Sequence, residues 1–292
     1  MTQCPLCGTS FEGSAHVRWN KEGFDIVRCP SCSLLFRRVL PRAHELAAIY
    51  GLAYFKADAG GGADGYLDYV ADAELHRLAA RRRVAALRKL SPPGALLDVG
   101  AAAGFFVAEA QAAGWDARGI DVSEPMVDWG RRELDVHLTR GSLESVELPS
   151  ESMDVVTMWD YIEHALDPVG DVERTRSLLR RHGVLALSTG DADSLVARIS
   201  GKRWHLLTPR HHNFFFTTKT LGELLRRSGF EIVACDHRGG RYPLRYIAHK
   251  LGTAGRSRSV ERLTQRLAGI RVGRLAVPVN LFDIVTVYAR RA

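Results

Sequence analysis

The chain has 292 residues, 46% hydrophobic and 25% charged, a globular composition with room for one large α/β domain and a small appendage. No apolar run reaches membrane-spanning length, and the start Met-Thr-Gln-Cys-Pro has no basic region leading into an apolar stretch. Neither a transmembrane segment nor a secretory signal is expected, and the expected compartment is cytoplasmic. The net charge of +7 is uneven: residues 202–292 hold 18 Lys/Arg against 5 Asp/Glu, and residues 1–201 hold 22 against 28. A basic C-terminal third suits an anionic partner such as a phosphorylated or nucleotide-linked substrate, a lipid headgroup or RNA, and suits equally a solubilising arginine-rich surface.

Four of the five cysteines stand as Cys4-x-x-Cys7 and Cys29-x-x-Cys32, with 21 residues between the pairs. Each pair sets two thiolates at the spacing of one knuckle of a zinc site. A cytosolic setting disfavours disulfides, and a redox Cys-x-x-Cys needs no second copy so placed. Gly8 follows the first pair; Ser33 stands where a glycine often follows the second. Ala15–Trp19 and Gly23–Arg28 are predicted as the strands of a hairpin between them. The reading is a zinc ribbon over residues 1–40, with Cys4, Cys7, Cys29 and Cys32 holding a structural Zn2+. Four cysteines close the coordination shell, and so small a module needs the metal for want of a core. Cys235, on a predicted sixth core strand, is expected to be a small buried apolar residue.

Residues 41–90 read as a linker and N-terminal helices. Tyr50-Gly-Leu-Ala-Tyr54-Phe55 precedes a flexible glycine loop over 57–65. Tyr66 and Tyr69 follow, as a roof over a pocket or as packing. Leu75, Leu78, Leu87 and Leu90 recur at helical spacing within a helix predicted over Ala71–Leu90, and Ser91-Pro-Pro-Gly94 ends it.

From residue 91 strands and helices alternate, predicting a parallel sheet with helices on both faces. The apolar strand Leu96-Leu97-Asp98-Val99 runs into Gly100-Ala-Ala-Ala-Gly104; a helix follows, and a second strand ends at Asp121. Gly100 and Gly104 allow the backbone close to a ligand, and the helix start offers N–H groups. Asp121 is placed to accept hydrogen bonds from the two hydroxyls of a ribose. Gly100–Gly104 lacks the G-x-G-x-x-G of a dinucleotide fold, and Phe105-Phe106 stands where a P-loop needs Gly-Lys-Ser/Thr. Ser123 is the predicted N-cap of the next helix, with Pro125 in its first turn.

Asp98, Gly100 and Gly104 match the first motif, D-x-G-x-G-x-G, of the class I (Rossmann-like) S-adenosylmethionine-dependent methyltransferases, with Ala102 in place of the middle glycine. The resemblance runs over roughly residues 70–292. It continues through Asp121, Gly141-Ser142-Leu143 after the strand Val136–Thr139, and Asp160-Tyr-Ile-Glu-His164 after the strand Met153–Trp159. Beyond the strand Val184–Thr189 come Pro209-Arg-His-His-Asn-Phe-Phe-Phe-Thr217, Ser228-Gly-Phe-Glu-Ile-Val233 and Asp283–Arg290 as strand seven. It implies a Rossmann-like, seven-stranded, mostly parallel sheet over 91–292. It also implies an S-adenosylmethionine site built from Asp98, Gly100, Ala102, Gly104, Asp121, Val122, Met126, Ser142, Leu143 and Asp160. Residues 241–280 interrupt the pattern as an insertion with an amphipathic basic stretch over 260–267, read as an acceptor lid, an oligomer contact or a membrane-surface helix.

Methyl transfer requires an acceptor in line with the methyl group and, for a hydroxyl acceptor, a base. His164 is the first candidate base, with Glu163 and Tyr161 as partners; His212, rather than His211, falls on the family's histidine and is the second. Trp204 and Phe214–Phe216 suit an acceptor pocket or the core. The layout resembles bacterial sugar, polysaccharide and natural-product methyltransferases, and implies O-methylation of a small-molecule, glycan or glycolipid acceptor. An RNA base methyltransferase, using the ribbon and the basic third, is the alternative; a non-catalytic ribbon–Rossmann binding protein is the third reading.

Overall fold

A computed structural model describes residues 1–42, 45, 49–56, 68–237, 239–244, 247 and 275–292. The glycine loop, Tyr66 and the basic stretch 260–267 lie outside the described residues.

The N-terminal module opens with a two-stranded ladder of β1 (Thr2–Gln3) and β2 (Ser10–Phe11) around the first cysteine pair. β3 (Val17–Lys21) and β4 (Phe24–Arg28) form the hairpin. Its first strand starts later than alternation predicts, because Gly13–His16 is a 3-10 turn. Glu22 and Gly23, at φ 54° and 83°, supply the consecutive left-handed residues that let the hairpin turn tightly. The two cysteine knuckles repeat one geometry. Gly8 N–H donates to Cys4 O at 2.9 Å and Ser33 N–H to Cys29 O at 3.0 Å. Ser33 adopts the left-handed conformation of its glycine counterpart, φ 66° against 72°.

β5 (Leu35–Arg37) adds to β4 and leads toward the large domain. There β6 (Ala95–Val99), β7 (Asp116–Asp121), β8 (Leu138–Arg140), β9 (Met153–Trp159) and β10 (Leu179–Gly190) run parallel. Leu96, Leu97, Val155, Val156, Leu185 and Leu187 are fully buried, as expected for strands covered by helices on both faces. The helices Ala73–Leu87, Phe105–Ala112, Glu124–Leu134, Pro168–Leu178 and Thr218–Arg227 provide that cover. Thr217 and Thr220 close a capping box at the start of the last one. Ser123 occupies its predicted N-cap position without a capping bond from its hydroxyl.

β11 (Phe214–Phe215) leaves the large domain to pair with β5, so the ribbon's sheet is four-stranded in the order β11-β5-β4-β3. Phe214 and Phe216 are buried in the main core, and Phe215 packs with the buried Trp204. β12 (Phe230–Asp236) and, beyond the short ladder of β13 (Gly240–Pro243) with β14 (Ala276–Val279), β15 (Ile284–Arg291) complete the main sheet. Its order is β12-β15-β10-β9-β6-β7-β8, with β15 antiparallel to both neighbours. The β13–β14 ladder forms the base of the 241–280 insertion.

Cys235 departs from expectation. It lies on the sixth core strand, but that strand is the sheet edge and the thiol is exposed.

Candidate active site

The carboxyl ends of β6, β7, β9 and β10 lie side by side, where open α/β sheets bind ligands. A cavity of about 560 Å³ opens there.

One end is built on two successive strand–helix turns. Gly100 has φ 75°, and a Cβ there would stand 2.7 Å from the Tyr161 ring, so conformation and space both demand glycine. Ala102 is held at φ 47°, a left-handed conformation that costs an alanine about 1–2 kcal/mol. The reason is visible in its N–H, which donates to Asp121 Oδ2 at 2.7 Å, while Ser123 N–H donates to Oδ1 at 2.8 Å. Each carboxylate oxygen keeps a further lone pair, the acceptor set two vicinal hydroxyls need. Burial pushes the Asp121 carboxyl above its usual range; the N–H groups of Ser123 and Ala102 oppose that rise.

Of the residues expected at the cofactor, Gly100, Ala102, Asp121, Val122, Ser142, Leu143 and Asp160 line the cavity. Asp98, Gly104 and Met126 are not among the lining residues. Asp98 is buried and accepts from Thr157 Oγ1 at 2.6 Å; burial pushes its carboxyl up to about 7. Gly104 makes room for Val136 and Leu138, and Met126 packs with Phe55, Ala103 and Phe105. Asp160 is held by Arg83 at 3.0 Å and Ser188 Oγ at 2.8 Å.

The other end gathers Tyr161, Glu163, His164 and His212, all four base candidates or partners. The rings of His164 and His212 meet edge to face at 4.7 Å. His212 Nδ1 lies 2.9 Å from Leu206 O, and His164 Nδ1 lies 2.9 Å from both His211 O and Tyr50 Oη. Carbonyls only accept, so each imidazole carries its proton on Nδ1 and its lone pair on Nε2. Burial lowers the His164 pKa, favouring the neutral ring. Burial first, then Asp160, pushes Glu163 up to about 8, and its Oε2 is buried with no hydrogen-bond partner among the described residues. Tyr161 turns its hydroxyl away, donating to Asp171 Oδ2 at 2.9 Å.

Asn213 ties this end to the ribbon. Its side-chain amide donates to His164 O and Ala165 O, while Arg37 reaches its Oδ1 at 3.3 Å and donates its own N–H to Asn213 O at 2.8 Å. Trp204 is absent from the lining; its indole N–H donates to Asp283 Oδ2 at 2.9 Å in the core. Sequence reasoning missed Tyr50, Tyr54, Phe55, His205 and Thr208, which line the cavity. The aromatic cluster at 50–55 was their one local signal. Tyr69 does line the cavity, with its ring stacked on His76 at 4.0 Å.

Away from the cavity, the sulfurs of Cys4, Cys7, Cys29 and Cys32 lie within 4.8 Å of one another, with Cys4 and Cys32 at 3.5 Å and Cys7 and Cys29 at 3.6 Å. Tetrahedral bonds of about 2.3 Å from one ion place sulfurs roughly 3.8 Å apart, so the quartet fits zinc.

A parallel sheet with one reversed strand, a glycine turn and the Asp121 carboxylate facing a histidine pair across one cavity give a Rossmann-like fold with a ligand site at the carboxyl ends of its strands. The chain belongs to the methyltransferase domain family, whose pattern matches residues 66–235, more than half of it. It is 27% identical over 155 residues to a ubiquinone biosynthesis O-methyltransferase of Cereibacter sphaeroides, covering 49% of this chain and 62% of that one. With its counterpart from Haemophilus ducreyi it shares 30% over 104 residues, 32% of this chain and 44% of that one. The chain thus spans about half the length of these curated relatives. Among solved structures, a SAM-dependent methyltransferase of Thermotoga maritima, described as a possible histamine N-methyltransferase, superposes with TM-score 0.51 at 20% identity over 77% of this chain and 95% of that one. Another from Archaeoglobus fulgidus gives 0.50 at 17% identity, over 76% and 98%. These likenesses establish the fold. No helix among the described residues is long and apolar enough to cross a membrane.

Proposed function

We propose that the protein methylates a hydroxyl group of a small molecule, using S-adenosylmethionine held at the Asp121 end of the cavity, with zinc in the cysteine quartet as a structural ion. The carrying observation is that one cavity is lined by the Asp121 carboxylate at one end and by the His164 and His212 imidazoles, each with Nδ1 against a backbone carbonyl, at the other. The donor supplies an already activated methyl group, so the protein's task is alignment and proton removal. Asp121 takes the ribose hydroxyls, and the turn through Gly100 and Ala102 lies against the donor. His164 Nε2 receives the acceptor's hydroxyl proton as the oxygen–methyl bond forms and the sulfur–methyl bond breaks. Tyr50, Tyr54, Phe55 and Tyr69 give the acceptor an aromatic wall, suited to a flat apolar molecule. The O-methyltransferase relatives support the hydroxyl as the accepting atom.

The test is methyl-labelled donor with a panel of phenolic and other hydroxylated small molecules, and bulk RNA as a parallel arm. Label recovered in an ether of a small molecule supports the reading. Label entering only RNA, or bound donor with no transfer to any arm, overturns it.

A further inference from the structure

We propose that Glu163, His164 and His212 form a second metal site, distinct from the cysteine quartet, which takes one divalent cation of the borderline class (Zn2+, Fe2+ or Co2+) at the acceptor end of the cavity. The inference rests on the reading that the acceptor hydroxyl meets this cluster, and it changes how the proton is lost there. A hydroxyl bound to the cation is acidified by it and gives its proton to water as the oxygen–methyl bond forms; His164 Nε2 then holds the cation, and the direct transfer of the proton to His164 described above is the route of the metal-free protein.

Three independent observations converge. The first is proximity: one ligand atom from each of the three side chains lies within 4.8 Å of the other two. Ligand bonds of about 2.1 Å place neighbouring donors roughly 3.4 Å apart, so an ion draws the three inward by modest side-chain rotations. The second is the outer shell. Histidines that ligate metals donate their other ring N–H to a carbonyl or carboxylate, which fixes the tautomer and aims the lone pair. Both histidines are held in this way, His212 by Leu206 O and His164 by His211 O with Tyr50 alongside. Asn213 braces the same segment by binding the carbonyls of His164 and Ala165. The third is Glu163. It is 5% exposed, its Oε2 has no hydrogen-bond partner among the described residues, and it faces the cavity. A buried acceptor left unpaired costs about 1–3 kcal/mol, and a cation supplies the missing partner.

Two nitrogens and one carboxylate oxygen leave coordination positions for an acceptor oxygen and water. This is the open donor set of catalytic metal sites, in contrast to the closed four-sulfur shell of the ribbon.

The test is Co2+ titration of the intact protein with its ribbon loaded with zinc, followed by calorimetry and visible absorption. The expected result is one Co2+ per chain, with the weak bands of nitrogen and oxygen ligation and no intense sulfur-to-cobalt charge transfer. Glu163→Gln and His212→Gln are each expected to weaken that binding at least about 10-fold, the scale at which even outer-shell losses act. Binding of S-adenosylhomocysteine to both variants verifies their fold. No Co2+ bound beyond the ribbon, or binding that both variants leave unchanged, overturns the metal site. That outcome leaves labelled methyl transfer intact, so it is distinguishable from failure of the O-methylation reading.

Discussion

At the proposed donor end of the cavity, Gly100, Ala102, Asp121 and Val122 come from two consecutive turns of one βαβ unit; at the proposed acceptor end, Tyr50, Glu163, His164, His205 and His212 are drawn from segments scattered over residues 50–212. The donor end is held by its own backbone, with two N–H groups fixing Asp121. The acceptor end is held by long-range contacts: Asn213 links it to Arg37 of the ribbon, and Tyr50 to His164. A turn that carries its own ligand groups can be kept while the far wall is rebuilt for a new acceptor. Donor binding and acceptor chemistry are therefore expected to respond to different substitutions.

The largest separation should come from His164→Gln, which removes the imidazole at the acceptor end. Turnover is expected to fall about 10²–10⁴-fold, the range for loss of proton-transfer catalysis. S-adenosylmethionine affinity measured by calorimetry should stay within threefold; a matching loss of donor affinity would break the division. Asp121→Ala is the reciprocal change. Hydrogen bonds to a charged group contribute about 1.5–3 kcal/mol, so donor affinity should fall about 10–100-fold. Unchanged affinity would remove Asp121 from the donor site.

Asp98→Asn probes the floor beneath the donor turn. The folded pKa of Asp98, about 7, lies above the unfolded value of about 4, so the folded protein holds this proton more tightly. Stability from that proton is fully present below pH 4 and is lost as pH rises to 7. The melting temperature of the variant relative to the unsubstituted protein should therefore rise between pH 4 and pH 8; a constant gap would contradict burial as the cause. The smallest effect belongs to Ala102→Gly, which relieves a left-handed alanine. Chemical denaturation should register a gain of about 0.5–1 kcal/mol, and a loss would mean the turn is unstrained.

The same division governs what the sequence made legible. Asp98, Gly100, Asp121 and the two cysteine pairs stand in short motifs whose spacing mirrors their geometry, and the strand Met153–Trp159 falls where its apolar run predicts. The neighbours that complete the acceptor end carry no such spacing. Nothing near Tyr50 announces a bond to a residue more than a hundred positions away, and nothing near Phe214 announces pairing with the ribbon. Cys235 failed for a related reason: its strand was legible, but its place at the sheet edge depends on β15 inserting between β10 and β12. Trp204 was an ambiguous aromatic until its partner Asp283 came into view.

A crystal structure with S-adenosylhomocysteine bound tests the central claim most directly. Both ribose hydroxyls are expected on the Asp121 carboxylate, with the thioether sulfur turned toward Glu163, His164 and His212. A nucleoside bound away from Asp121, or a sulfur directed away from the histidine pair, would contradict it.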